Sequence, residues 1–241
     1  GYGTDGKIWG GEILLCEEEG FTRLSHLKTI RMIGGDSSMK EAWKSAMCYC
    51  YDQFHSDREL AEDEFTVDIG DILEQAGIQS RPEWLLVKAA LDHQVNTLES
   101  ASMGRLFDGV SSLLNICNVN GYEGQCAILL EDAAARGLKN PGADKGDDLA
   151  LAFHRRVAKT VVEQCQKHRK STGADQVALT GGVFQNRILM EECLRLLRGE
   201  GFRVYYNISV SPNDGGIALG QNYIGAWSLI KGKGRGGQNG Y

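Results

Sequence analysis

Twice in its last third the chain runs a short apolar strand into paired glycines and then into a helix, the pattern that most narrows its possible folds. The first instance is Val177-Ala178-Leu179-Thr180-Gly181-Gly182-Val183-Phe184-Gln185-Asn186, with a helical pattern over Asn186 to Arg198 behind it. The second follows the strand Phe202 to Tyr206 as Ser211-Pro212-Asn213-Asp214-Gly215-Gly216, ahead of a helix over Ile217 to Ile230. Strand, helix, strand, helix implies parallel pairing through a right-handed crossover, so this part is α/β. With 31 Gly against 3 Pro, where the glycines fall matters, because an ordered glycine marks positive φ or close approach by a ligand.

Open α/β sheets bind ligands beyond the carboxyl ends of their strands. At Gly181-Gly182 the backbone lacks Cβ atoms and the next helix offers its positive end, an arrangement suited to a phosphate or nucleotide. A plain turn linking strand to helix is the competing reading. Asp214 adds a carboxylate at the second glycine pair. By chemistry alone it fits the N-cap of the following helix, worth about 1 kcal/mol, better than a metal site, which one Asp cannot make. Asp108, in Gly104-Arg105-Leu106-Phe107-Asp108, interrupts an apolar helix. It either points outward or faces a cleft and accepts hydrogen bonds from sugar hydroxyls. Glu123, between Tyr122 and Gly124, carries the same two readings. The five His have no metal-binding helical spacing, and neither a Walker loop nor a G-x-S-x-G elbow occurs.

Upstream, Lys7 to Leu15 and Phe21 to Ile30 read as an antiparallel hairpin. A helix starts at Ser38, with Trp43, Met47 and Tyr51 on one side, and further helices are expected over Glu83 to Gln94, Arg105 to Cys117 and Glu123 to Arg136. Leu149, Phe153, Val157, Val161 and Cys165 form one stripe on a long helix ending near Gly173. Asp57 to Glu83 holds nine acidic and two basic residues and reads as a solvated helical face. Lys231 to Tyr241 is expected to be disordered. At 42% hydrophobic and 24% charged residues, wholesale disorder is excluded. A net charge of -6 without a basic run argues against a nucleic-acid partner, and no apolar stretch is long enough for a membrane span. With no signal peptide, the chain reads as cytoplasmic, its seven Cys as mostly buried free thiols.

Six segments together carry a resemblance: Gly1 to Glu12 (GYGTDGKIWGGE), Gly34-Gly35-Asp36, Gly104 to Asp108, Tyr122-Glu123-Gly124-Gln125, Thr180 to Asn186 and Ser211 to Gly220. In order and spacing they resemble the HypF carbamoyltransferases of nickel-iron hydrogenase maturation, from Gly1 to about Trp227. The resemblance implies an actin-like, sugar-kinase-like (ribonuclease H-like) two-lobed α/β fold whose first lobe is incomplete here. Residues 1–33 would be a remnant of that lobe, 34–230 the second lobe and 231–241 a tail. The family's upstream H-H-x-A-H segment is absent from the sequence, so the chain is expected to correspond to the C-terminal two thirds of one domain. The implied reaction moves a carbamoyl group from carbamoyl adenylate to the C-terminal cysteine of a HypE-type maturation partner. Gly181, Gly182 and Asn186 would contact the nucleotide, Asp108 and Glu123 would lie on its ribose side, and Gly1 and Gly3 would be what remains of a phosphate loop. Asp214 would be the last ligand of a divalent metal, an ion not expected to be retained by this chain alone, and inactivity of the isolated chain is expected. An uncovered edge along residues 7–30 would favour self-association. A small-molecule O-carbamoyltransferase and a non-catalytic nucleotide-binding module are the alternatives.

Overall fold

Alternating side chains in Glu12–Glu17 (β1) and Gly20–Leu27 (β2) build the expected antiparallel hairpin, with an irregularity between Ile13 and Leu14. The computed structural model describes residues 1–18, 20–34, 37–55, 58–78 and 81–235; Glu19, Gly35 and Asp36 lie outside the described residues. Next come β3 (Ile30–Ile33), α1 (Ser37–Lys40), α2 (Ala42–His55), β4 (Glu64–Phe65), α3 (Gly70–Gln75), α4 (Trp84–Asp92) and β5 (Thr97–Ser100). The second half contains α5 (Met103–Leu113), α6 (Gln125–Lys139), α7 (Lys145–Thr172), β6 (Gln176–Leu179), α8 (Arg187–Gly199), β7 (Arg203–Tyr206) and α9 (Ile217–Arg235).

Three small sheets result among the described residues. β1, β2 and β4 lie in that order with β4 parallel to β2, β3 pairs antiparallel with β5, and β6 pairs parallel with β7 as the strand–helix–strand pattern requires. Among the described residues the outer edge of β1 has no strand partner. Helices α2, α5, α6, α7 and α8 pack in succession around one apolar cluster containing Met47, Phe107, Leu130, Phe153 and Leu197. Leu27, Ile30 and Met32 belong to the same cluster, so residues 1–33 share their core with the rest.

The long helix α7 has clear start and stop signals. The Asp144 side chain accepts hydrogen bonds from the N–H groups of Gly146 and Asp147, and Gly173 ends the helix at φ +74°. Its expected stripe faces inward through Phe153, Val157 and Cys165. Where α6 crosses α7, a Cβ on Gly137 would lie 2.5 Å from the Asp147 carbonyl oxygen. Glycine to alanine in a helix ordinarily gains about 1 kcal/mol. Here the sign reverses: Gly137→Ala is expected to lose about 2 kcal/mol because the two helices must separate. Urea unfolding checks this, and a stabilised variant contradicts the packing described.

Two expectations need correction. The acidic segment from Asp57 to Glu83 is not one helical face: among its described residues only α3 is α-helical, and while its other described carboxylates are exposed as expected, Glu64 is buried. Desolvation opposes ionisation of Glu64. The Arg58 guanidinium, at 2.7 and 2.9 Å, and the N–H groups of Thr29 and Ala61 outweigh it and hold the carboxyl down to about 2. α9 continues to Arg235, beyond the expected start of disorder at Lys231; residues 236–241 lie outside the described residues. Tyr223, Ile224, Leu229 and Ile230 on this helix are exposed, and Lys231 pairs with Glu18 at 2.7 Å.

Candidate functional site

The two glycine turns meet at the carboxyl ends of β6 and β7. Gly181 has φ +101° and ψ 157°, a conformation essentially restricted to glycine, and its N–H donates to the Pro212 carbonyl at 2.9 Å. Residues Gly182–Gln185 form a 3-10 turn whose first two N–H groups, on Gly182 and Val183, meet no acceptor among the described residues. A Cβ placed on Gly182 would sit 3.7 Å from the Cβ of Asn213, so the second turn forms the wall opposite the first.

In that second turn the cap belongs to Asn213 and not to Asp214. The Asn213 side-chain oxygen accepts from the Gly215 N–H at 2.9 Å and from the Ser211 hydroxyl at 2.7 Å. Asp214 is exposed and its carboxylate makes no hydrogen bond or ion pair among the described residues. No group of three or more His, Cys, Asp or Glu side chains that could hold a metal occurs among the described residues. One carboxylate does not satisfy a divalent cation that takes six or more oxygens, so these residues alone do not fit a metal centre.

The positive end of α8, taken from the sequence as open to an anion, is occupied by the protein itself. The Asn186 side chain accepts from the Leu189 N–H at 2.9 Å, and the Glu131 carboxylate accepts from the Arg187 N–H at 2.8 Å. The donors facing outward are therefore those of the glycine turn, not of the helix. Asn186 is buried, and its amide Nδ2 lies 2.8 Å from Nε2 of His154. The fully buried His154 has its Nδ1 2.7 Å from the Ala150 carbonyl. A carbonyl only accepts, so Nδ1 carries the hydrogen and Nε2 accepts from Asn186. Burial pushes the His154 ring down to about 4, which keeps it neutral and keeps that acceptor in place. Phe107 and Phe153 close around the ring edge to face, at 5.3 and 5.8 Å.

Phe107 brings α5 to the site, and beside it Asp108 does not point outward. It is buried, with Arg105 Nη1 at 3.1 Å and Asn120 Nδ2 at 3.4 Å; burial pushes its carboxyl up against the pull of Arg105. Asn120 in turn accepts from the Cys126 N–H at 2.8 Å, tying the loop that carries Glu123 to Asp108. Glu123 itself is exposed. Gly3 lies flat against the Trp9 indole, leaving no room for a Cβ, and Trp9 donates to Asp5 at 2.9 Å. The Gly1 carbonyl accepts from the Trp9 N–H at 2.8 Å. The structure thus unites Gly181, Gly182, Asn186 and Asp214, joins Asp108 to them through Phe107 and His154, and gives Gly3 a packing role. Sequence reasoning missed His154, Arg105, Asn120 and Glu131. For His154 the available signal was its position one residue after Phe153 on the buried stripe.

A parallel strand pair with glycine turns at its carboxyl end, backed by a helical layer, makes this an α/β domain with its glycine turns where such sheets place their ligands. The family model described as "Carbamoyltransferase, Kae1-like Domain, second subdomain" matches residues 1–145 and 139–221. The carbamoyltransferase HypF of Rhodobacter capsulatus is 32% identical over 95% of this chain and 31% of its own length. A probable carbamoyltransferase HypF of Methanocaldococcus jannaschii is 29% identical over 92% of this chain and 31% of its own length. A crystal structure of full-length HypF in a phosphate- and nucleotide-bound form superposes with a TM-score of 0.77 at 28% identity, covering 95% of this chain and 32% of that one. The chain belongs to the HypF carbamoyltransferase family, and it spans about a third of the length of these two relatives.

Proposed function

We propose that this chain is the nucleotide-holding part of a carbamoyltransferase that moves a carbamoyl group from carbamoyl adenylate to the C-terminal cysteine of a HypE-type maturation partner, for the cyanide ligands of nickel-iron hydrogenase. The observation that carries the reading is the meeting of the two glycine turns, with the N–H groups of Gly182 and Val183 unengaged at the carboxyl end of β6. Those donors and the open backbone of Gly181 hold the adenylate. Asn186, fixed by His154, keeps the turn at one distance from α8. Asp108 acts on the ribose side through Arg105 and Asn120, with Glu123 on the neighbouring loop. The partner's thiolate attacks the carbamoyl carbon, the bond to the adenylate oxygen breaks, and AMP leaves with the electron pair. The protein's share is to hold the adenylate still, so that attack is effectively unimolecular.

The experiment grafts this chain in place of the matching third of the Rhodobacter capsulatus relative, supplies carbamoyl adenylate and the partner, and weighs the partner by mass spectrometry. A gain of one carbamoyl mass is expected. A chimera that folds and binds adenylate yet leaves the partner's mass unchanged overturns the reading.

A further inference from the structure

We propose that Cys117 and Cys126 form a redox-active thiol pair, which a small-molecule disulfide such as oxidised glutathione converts to an intrachain disulfide joining the loop after α5 to the start of α6. The two sulfurs lie 2.7 Å apart, with Cys126 donating to Cys117 and Cys117 donating to the Val119 carbonyl at 3.4 Å. A disulfide bond is about 2.05 Å long, so bridging asks for a movement well under one ångström. Among the described residues no other two of the seven thiols make a sulfur–sulfur hydrogen bond.

Exposure fixes the order of events. Cys117 is partly exposed and Cys126 fully buried. Burial and the neighbouring Cys117 sulfur push the Cys126 thiol up, so it is the poorer first nucleophile. The Cys117 thiolate attacks glutathione disulfide, one glutathione leaves, and Cys126 then displaces the second from the mixed disulfide at contact distance. The two protein thiols are oxidised, glutathione disulfide is reduced, and both thiol hydrogens end on the two glutathiones released. Between the two cysteines lies Asn120, whose side chain accepts from the Cys126 N–H and donates to Asp108. Closing the bridge therefore stiffens the loop that positions Asp108 and carries Glu123.

The full chain is incubated with oxidised glutathione, quenched with acid, digested with trypsin without reduction and weighed. Residues 106–136 form one tryptic peptide whose only cysteines are these two. It is expected to be lighter by two hydrogens and to resist alkylation after denaturation, whereas Cys16, exposed and alone, carries a single glutathione. Hydrogen exchange over residues 118–125 is expected to slow about tenfold on oxidation. Cys117→Ser should leave Cys126 reduced. A stable glutathione adduct on Cys117 with Cys126 still alkylatable, or both thiols left reduced, overturns the pair. Unchanged exchange overturns the stiffening of the loop. Neither readout requires nucleotide, so failure here is separable from failure of the proposed function.

Discussion

His154→Leu is expected to cost about 3 kcal/mol of unfolding free energy at pH 7, and the cost is expected to shrink as the pH falls. His154 is fully buried with both ring nitrogens hydrogen-bonded, and leucine leaves the Asn186 amide buried without its acceptor. An orphaned buried polar group costs about 1–3 kcal/mol, and the change of shape between Phe107 and Phe153 adds about 1 kcal/mol. The pH dependence follows from the ring's lowered pKa. The unfolded chain protonates the histidine below its ordinary value, about 6.5, while in the fold burial holds it down to about 4. The wild type therefore has the full contribution above pH 6.5 and loses it as the pH drops toward 4, by about 3 kcal/mol in all. The variant has no such titration, so the two unfolding curves should converge. Urea titrations at pH 7 and pH 4.5 test this; a gap that stays constant across that range rules out a buried neutral His154.

Much of the fold was legible because the signals were local. The stripe on α7 and its glycine stop placed that helix to within a few residues. The strand–glycine–helix repeat gave parallel pairing of β6 with β7. Long-range pairing was not legible: β4 holds only Glu64 and Phe65, and it pairs with β2 beside the Arg58–Glu64 ion pair. Nor does charge density along the sequence reveal that one carboxylate of an acidic run is buried. At the site the glycines stood out because they lack a side chain. The side chains that support them did not, because a hydrogen bond between His154 and Asn186, 32 residues apart, leaves no periodic trace. The competition for the helix ends was equally hidden: Glu131 reaches α8 from another helix, and Asn213 takes the cap that Asp214 could have filled.

Replacing Gly182 by leucine is expected to leave stability within about 0.5 kcal/mol of wild type and to weaken adenine-nucleotide binding at least about tenfold. Gly182 is exposed, its φ lies outside the left-handed range, and a Cβ there would meet only Asn213, at an ordinary contact distance of 3.7 Å. The new side chain has room, but that room lies between the two turns. Gly181→Ala differs in kind, because φ +101° strains any residue with a Cβ, and it should cost about 1–3 kcal/mol of stability as well. Titrating ATP into the chain in a calorimeter, wild type against Gly182→Leu, therefore tests most directly whether the glycine turns hold the nucleotide. Binding by the wild type and at least about tenfold weaker binding by an equally stable variant are predicted; equal affinity in the two proteins, or no binding by the wild type, would contradict it.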